Sequence, residues 1–387
     1  MAVVTNTKKT SSVSGWNILF VLLTALGGVC WGMQLSKGLQ LTNLGTNNMW
    51  GLYIVGFTIF TGVAAGSLLL AALPYLFKQN EFKPYTRIAA YLGAVSSVVA
   101  ASLFIIVDIG NPERAWLFIT SGNLSSPMFW DFLMLAAYMV ISIIFTRQLI
   151  LVNEGKKAEG SVKTIAVIAF VAGILVTVTS FVFSFQIARP LWNTPVQPLS
   201  FLIAALIAAL SIQIIMAVIL NKKGYISMPV NLLAKMGKVA AILLCIELIV
   251  VVGDVLIGLY PGGGEEYASF TWLVSGEGAL GFWAEIVALI VAIVLLANQG
   301  SASKAGGLAT GAVIALIAIY LIKSNLLQAQ LFNPLITLPG PQMLGEPTGP
   351  YIPSLLEVGV SLGIVSLGTL LLNLGLSKLN LGTTTKG

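Results

Sequence analysis

Apolar residues along this chain fall into ten long runs, at about 15–36, 50–77, 84–109, 127–151, 162–187, 198–220, 232–259, 279–297, 304–323 and 352–376. Short polar or glycine- and proline-rich stretches separate them. A spanning helix needs about 20 mostly apolar residues, and the runs meet that length. They are too continuously apolar for the alternating strands of a barrel, and lipid admits only helices and closed barrels. The pattern predicts an all-α integral membrane protein of about ten transmembrane helices. The membrane domain covers 15–376, between a tail at 1–14 and a second at 377–387. No small-x-small cleavage pattern follows the first run, which reads as a retained span.

Composition sharpens this picture. Only 9% of residues are charged and 57% are hydrophobic, against about 25% charged in a soluble chain; a water-soluble catalytic domain is excluded. There is no His, and the two cysteines, Cys30 and Cys245, stand far apart. Haem is most often held by His and iron–sulfur clusters by about four Cys, so neither is expected in this chain, nor is a His-based zinc site or a Ser–His–Asp triad.

Lys and Arg outnumber Asp and Glu by 20 to 14. The surplus is read as membrane topology and not as nucleic-acid binding, because cytoplasmic segments collect Lys and Arg. The two tails and the connections after the second, fourth, sixth and eighth runs hold 16 of the 20 basic residues, leaving Lys37, Arg114, Arg189 and Lys323 for the other side. Both termini are therefore expected in the cytoplasm, with the chain in the cytoplasmic (inner) membrane. The outer connections are rich in Gly, Pro and acid, as in Pro261–Glu266 and the long segment Asn333–Pro353. Seven of the eight Trp lie at or near outer helix ends. Outside is the expected working face.

Ionisable groups inside a bilayer are costly and functional by default. Asp108 closes the third run, Asp131 opens the fourth, and Arg189 follows the fifth. Glu247 sits mid-run with Asp254 seven residues further out, two turns along one face. Asp131 and Tyr138 share that spacing; Glu285 and Glu357 complete the set. Gly62–Gly66 is a GxxxG pattern, read as a close helix contact.

Several stretches resemble one family. Asp108-Ile109-Gly110-Asn111-Pro112-Glu113-Arg114, Ser126-Pro127-Met128-Phe129-Trp130-Asp131, Ala188-Arg189-Pro190-Leu191-Trp192 and Tyr351-Ile352-Pro353-Ser354-Leu355-Leu356-Glu357 are similar to signatures of the NrfD/PsrC (polysulfide-reductase-type) membrane subunits. The opening Trp50-Gly51-Leu52-Tyr53 of the second run is also family-like. The resemblance implies two four-helix bundles, runs 2–5 (about 50–187) and 6–9 (about 198–323), with peripheral helices. It implies a subunit without its own metal cofactor that exchanges electrons between a membrane quinone, such as menaquinone, and an outer-face ferredoxin-like iron–sulfur subunit. Behind that partner stands a further catalytic subunit, often a molybdopterin enzyme.

Many relatives place a His near the quinone headgroup, and this chain has none. Asp131 becomes the candidate proton acceptor, with Asp108 sharing the proton. Arg189, Tyr138, Trp130 and Arg114 are the candidate quinone-binding residues. Glu247, Asp254, Glu285 and Glu357 are candidate proton-relay groups. Two other readings stay open: a quinone-independent anchor that conducts protons for an oxidoreductase, for example a dehalogenating complex, and a proton-coupled secondary transporter, which would show inverted repeats and interrupted helices.

Overall fold

The computed structural model describes residues 15–45, 48–331 and 351–382. The apolar runs fold into an all-helical membrane protein. Its spans are α1 (Gly15–Lys37), α2 (Leu52–Leu76), α3 (86–108), α4 (Pro127–Asn153), α5 (162–184), α6 (Gln197–Lys222), α7 (Val230–Leu259), α8 (Ala279–Ala297), α9 (Ala305–Leu331) and α10 (Leu355–Lys378).

Helix α2 packs on α3, α5 and α6; α3 packs on α4 and α4 on α5, closing one ring of four. A second ring runs α6–α7–α8–α9, and α9 returns to α6. The α2–α6 contact joins the rings. Along the apolar span of α2, 78% of residues are buried, against 11% in α1, so α2 is the axis and α1 lies at the periphery against α10. The GxxxG pattern makes the central contact possible. A Cβ on Gly66 would meet the Ala205 carbonyl and come within 2.8 Å of the Ala209 methyl. Gly66→Val is therefore expected to destabilise the protein by about 1–3 kcal/mol through overpacking, read as a lower melting temperature in detergent.

Three expectations change. The third run is not one regular helix: Thr86–Val95 and Ser102–Asp108 flank a π-helical turn at Ser96–Ala101. Ser97 Oγ donates to the Gly93 carbonyl at 2.8 Å and Ser102 Oγ to the Ser97 carbonyl at 2.9 Å, so side chains compete with the backbone ladder there. Nine helices among the described residues are long and apolar enough to span alone, and α3 is the composite tenth. Second, α9 does not stop at 323 but runs to Leu331. Lys323, assigned above to the outer connections, is only 3% exposed. A charge ends a hydropathy run, yet partners on other helices allow this one inside. Third, the connection after α7 holds a short helix, Gly264–Ser275, with Glu265 and Glu266 in its first turn, where the helix dipole favours acids. The segment 332–350, most of the long outer connection, and the tails at 1–14 and 383–387 lie outside the described residues.

The two ends of the bundle differ chemically. At one end Lys83 pairs with Glu159, and Lys235 with Glu81 at 2.7 Å. Arg87 donates to the Asn380 and Gly382 carbonyls at 3.1 and 2.7 Å, and Tyr85 to the Ser227 carbonyl at 2.9 Å. These contacts gather the basic connections and the end of α10 into a single basic end. The opposite, loop end carries the 109–126, 185–196 and 260–278 connections.

Candidate functional site

The first ring holds Asp131. Ser126 occupies the N-cap position of α4 without a side-chain capping bond, and Pro127 occupies its first turn, a favoured place for proline, which sets Asp131 one turn inside the helix. Its side chain is buried, and Thr179 of α5 donates to Asp131 Oδ1 at 2.6 Å. Two turns deeper, Tyr138 is fully buried and its hydroxyl has no partner among the described residues. Trp130, on the exposed side of the same turn as Asp131, is 46% exposed and donates from Nε1 to the Leu124 carbonyl. Arg114 is exposed on the 109–126 connection.

Asp108 belongs to a neighbouring cluster. Its Oδ1 is buried without a partner among the described residues, and Glu357 is the carboxylate near enough to act on it through charge. Tyr53 donates to Gln34 Oε1 at 2.8 Å, and Gln34 donates to the Val107 carbonyl at 2.6 Å. The Nε1 of Trp31, from α1, is likewise buried and without a partner among the described residues. Glu357 is fully occupied: it accepts from Ser354 N at 2.9 Å, Asn43 N at 3.0 Å and the Tyr351 hydroxyl, closing a capping box at the start of α10. Burial, with Glu357 beside it, pushes the Tyr351 phenol well above its usual value, so it remains a donor. Arg189 donates from Nη1 to the Gln330 carbonyl at 2.9 Å, and its guanidinium lies 6.0 Å from the Trp192 ring.

The second ring holds a cavity of about 330 Å³ that Glu247, Asp254, Glu285 and Glu266 line together. Ser200 donates to Glu247 Oε1 at 2.6 Å, and Asn325 donates to Glu285 Oε2 at 2.7 Å. Lys323 lies behind these groups with Nζ 3.5 Å from the centre of the Phe201 ring, a cation–π distance. It is close enough to both glutamates to feel their charge. The structure thus brings Glu247, Asp254 and Glu285 together, stacks Asp131 above Tyr138, and sets Asp108 beside Glu357. Sequence reading missed Thr179, Ser200, Asn325 and Lys323. Only Lys323 carried a signal, as a charge eight residues before the end of an apolar helix.

Comparison with known proteins agrees with this architecture. A family model described as polysulphide reductase, NrfD, matches residues 40–334. A putative dimethyl sulfoxide reductase membrane subunit of Halobacterium salinarum is 25% identical, over 95% of this chain and 91% of its own. A selenate reductase subunit of Mesobacillus selenatarsenatis is 24% identical over 71% of this chain and 72% of its own. An Hdr-like menaquinol oxidoreductase integral membrane subunit of Archaeoglobus fulgidus is 29% identical over 50% of this chain and 48% of its own. With a family match over most of its length and an all-helical, multi-pass membrane fold, the chain belongs to the NrfD family of polysulphide-reductase-type membrane subunits.

Proposed function

We propose that this subunit exchanges electrons between a membrane quinone, of the menaquinone class, and an iron–sulfur subunit docked on the loop end, which connects to a further catalytic subunit such as a molybdopterin enzyme. The observation that carries the reading is the set of buried polar groups around the first ring that have no partner among the described residues. Tyr138 OH and Trp31 Nε1 are donors, and Asp108 Oδ1 is an acceptor. Buried polar groups are normally satisfied, so such a set fits a ligand that both accepts and donates hydrogen bonds. A quinone has that chemistry: its carbonyl oxygens accept, its reduced hydroxyls donate, and it supplies two-electron, two-proton redox capacity when bound.

In this reading Tyr138 orients the headgroup and Asp131 holds the exchanged proton, steadied by the Thr179 hydroxyl. Asp108 takes a second proton towards the loop end. The exposed apolar side chains beside this site, Trp130, Met128, Ile119 and Leu124, give a lipid-soluble ligand a path from the bilayer. Arg114 and Arg189 lie on loop-end connections, where an iron–sulfur partner would approach. Related subunits named for dimethyl sulfoxide, selenate and menaquinol chemistry support a place in a reductase complex. Glu247, Asp254 and Glu285 form a separate proton track in the second ring. The basic end lies in the cytoplasm of a cell with this subunit in its inner membrane, following the distribution of Lys and Arg.

The complex purified in mild detergent should contain an iron–sulfur protein, and a photoreactive menaquinone analogue should attach to peptides from α4, α1 or the 109–126 connection. Attachment confined to the second ring, or turnover indifferent to added quinol, overturns the quinone reading.

A further inference from the structure

The cavity of the second ring, assigned above only as a proton track, ends in an arrangement that the quinone chemistry of the first ring does not use. Its rim is at the loop end, where Pro195 is exposed and Glu266 and Thr194 are half-buried. Glu247 stands twelve residues in from the loop end of α7 and Lys323 eight residues in from that of α9, roughly 18 and 12 Å of helix at about 1.5 Å per residue. Towards the basic end, the next two turns of the four helices supply apolar side chains, Ala204 and Ile207, Leu244, Leu289 and Ala292, Ala315 and Ile319, all buried in one hydrophobic cluster, before the buried Ser211 a turn further on. Polar lining therefore stops at Glu247 and Glu285, with the buried Lys323 just outside it, and an apolar plug follows.

Two atoms at this boundary lack hydrogen-bond partners among the described residues: Glu247 Oε2 and Lys323 Nζ. Ser200 and Asn325 hold only the other side of the cluster, one oxygen of each carboxylate. Charge counting adds a constraint. One lysine and two glutamates, all ionised, leave one negative charge in a place where an unbalanced charge is costly. A single added proton removes it.

We propose that this cavity is a one-sided proton well, in which Glu247, Glu285 and Lys323 together hold one exchangeable proton that communicates with the loop end only. The proton arrives from cavity water past Glu266 and Asp254 and binds a glutamate oxygen. A cavity water between Lys323 and each carboxylate relays it, an N–H bond of the lysine breaking as the water gains that proton and gives one of its own to a carboxylate oxygen, and then the reverse, with no electron moved. The cavity has room for several waters, each occupying about 30 Å³. Passage to the basic end requires the plug to part, which makes the well a loading station and not an open channel. Its role in turnover rests on the functional reading above; its one-sided access does not.

Access is tested first, in the intact complex in sealed vesicles of known orientation, with a charged, membrane-impermeant thiol reagent and sites read by mass spectrometry. Cysteines at Ser125 and Lys157, both exposed, mark the loop and basic ends. Val251→Cys lines the cavity one turn outward of Glu247 and should react from the loop end alone. Ala240→Cys, fully buried within the plug, should react from neither side. Reaction of Val251→Cys from the basic end, or from neither, overturns the well. Proton yield per electron in proteoliposomes then tests Lys323. Lys323→Met should lower it at least fivefold, and Lys323→Arg should do the same, because Arg keeps the charge but does not release a proton. An Arg variant with native yield would make the lysine merely a structural cation and sink its assignment. Should either variant fail to assemble, the labelling pattern still decides. Turnover insensitive to quinol would end the quinone reading and leave that pattern unchanged.

Discussion

Asp131→Asn is expected to lower quinol-linked turnover by about 10²–10⁴-fold, the range removed with a general acid–base, in a complex that still assembles. The substitution is almost isosteric. An Asn side-chain oxygen still accepts from Thr179, whose hydroxyl lies 2.6 Å from Asp131 Oδ1, so packing at this buried position is kept. What disappears is the ability to take a proton. Thr179→Val separates the two roles: it removes the supporting donor and should cost less, since the carboxylate remains. Turnover with a menaquinol analogue, alongside a native gel confirming assembly, makes the measurement. Full activity in an assembled Asp131→Asn complex would place the quinone elsewhere or remove it from the mechanism.

The largest stability effect is expected at Glu357. Its carboxylate satisfies Ser354 N, Asn43 N and the Tyr351 hydroxyl, at a side chain with no exposed surface. Glu357→Ala strands these donors, and each buried donor left unsatisfied costs about 1–3 kcal/mol. Part of the capping box is lost as well, a contribution of about 0.5–2 kcal/mol. The melting temperature in detergent should fall by many degrees, and α1 should become more accessible to proteases. Glu357→Gln keeps one acceptor oxygen and should lie between. An unchanged melting temperature for the Ala variant would mean that α1 and α10 are held by packing alone.

Most spans were legible because a bilayer imposes a simple rule on composition, and the spacing of Gly62–Gly66 announced a close helix contact, whose partner, α6, only the structure supplies. Glu247 stood out by lying mid-run, and the structure places it in a shared cavity with Asp254 and Glu285. Lys323 shows where such reading stops. Hydropathy judges a residue by its neighbours in sequence, whereas the burial of Lys323 depends on Phe201, Glu247 and Glu285 from three other helices. Thr179 and Asn325 were silent for the same reason: a hydroxyl or an amide inside an apolar helix becomes informative only when its partner across the ring is known. The π turn in α3 follows from serines that bond to the helix's own carbonyls, a competition that residue periodicity does not register.

The pairing of α1 with α10 has a consequence for biosynthesis. Asn43 and Glu357 are 314 positions apart, and α1 has little other protein to lean on, with Trp16, Leu22 and Val29 all more than 60% exposed. At about 5–20 residues per second of translation, the ribosome needs tens of seconds to reach α10 after α1 has emerged. Through that interval the first helix waits in lipid while both rings form beside it. Because α10 supplies the main protein contact of α1, a ribosome that stops short of Leu355 leaves both rings formed and that first span without its principal partner.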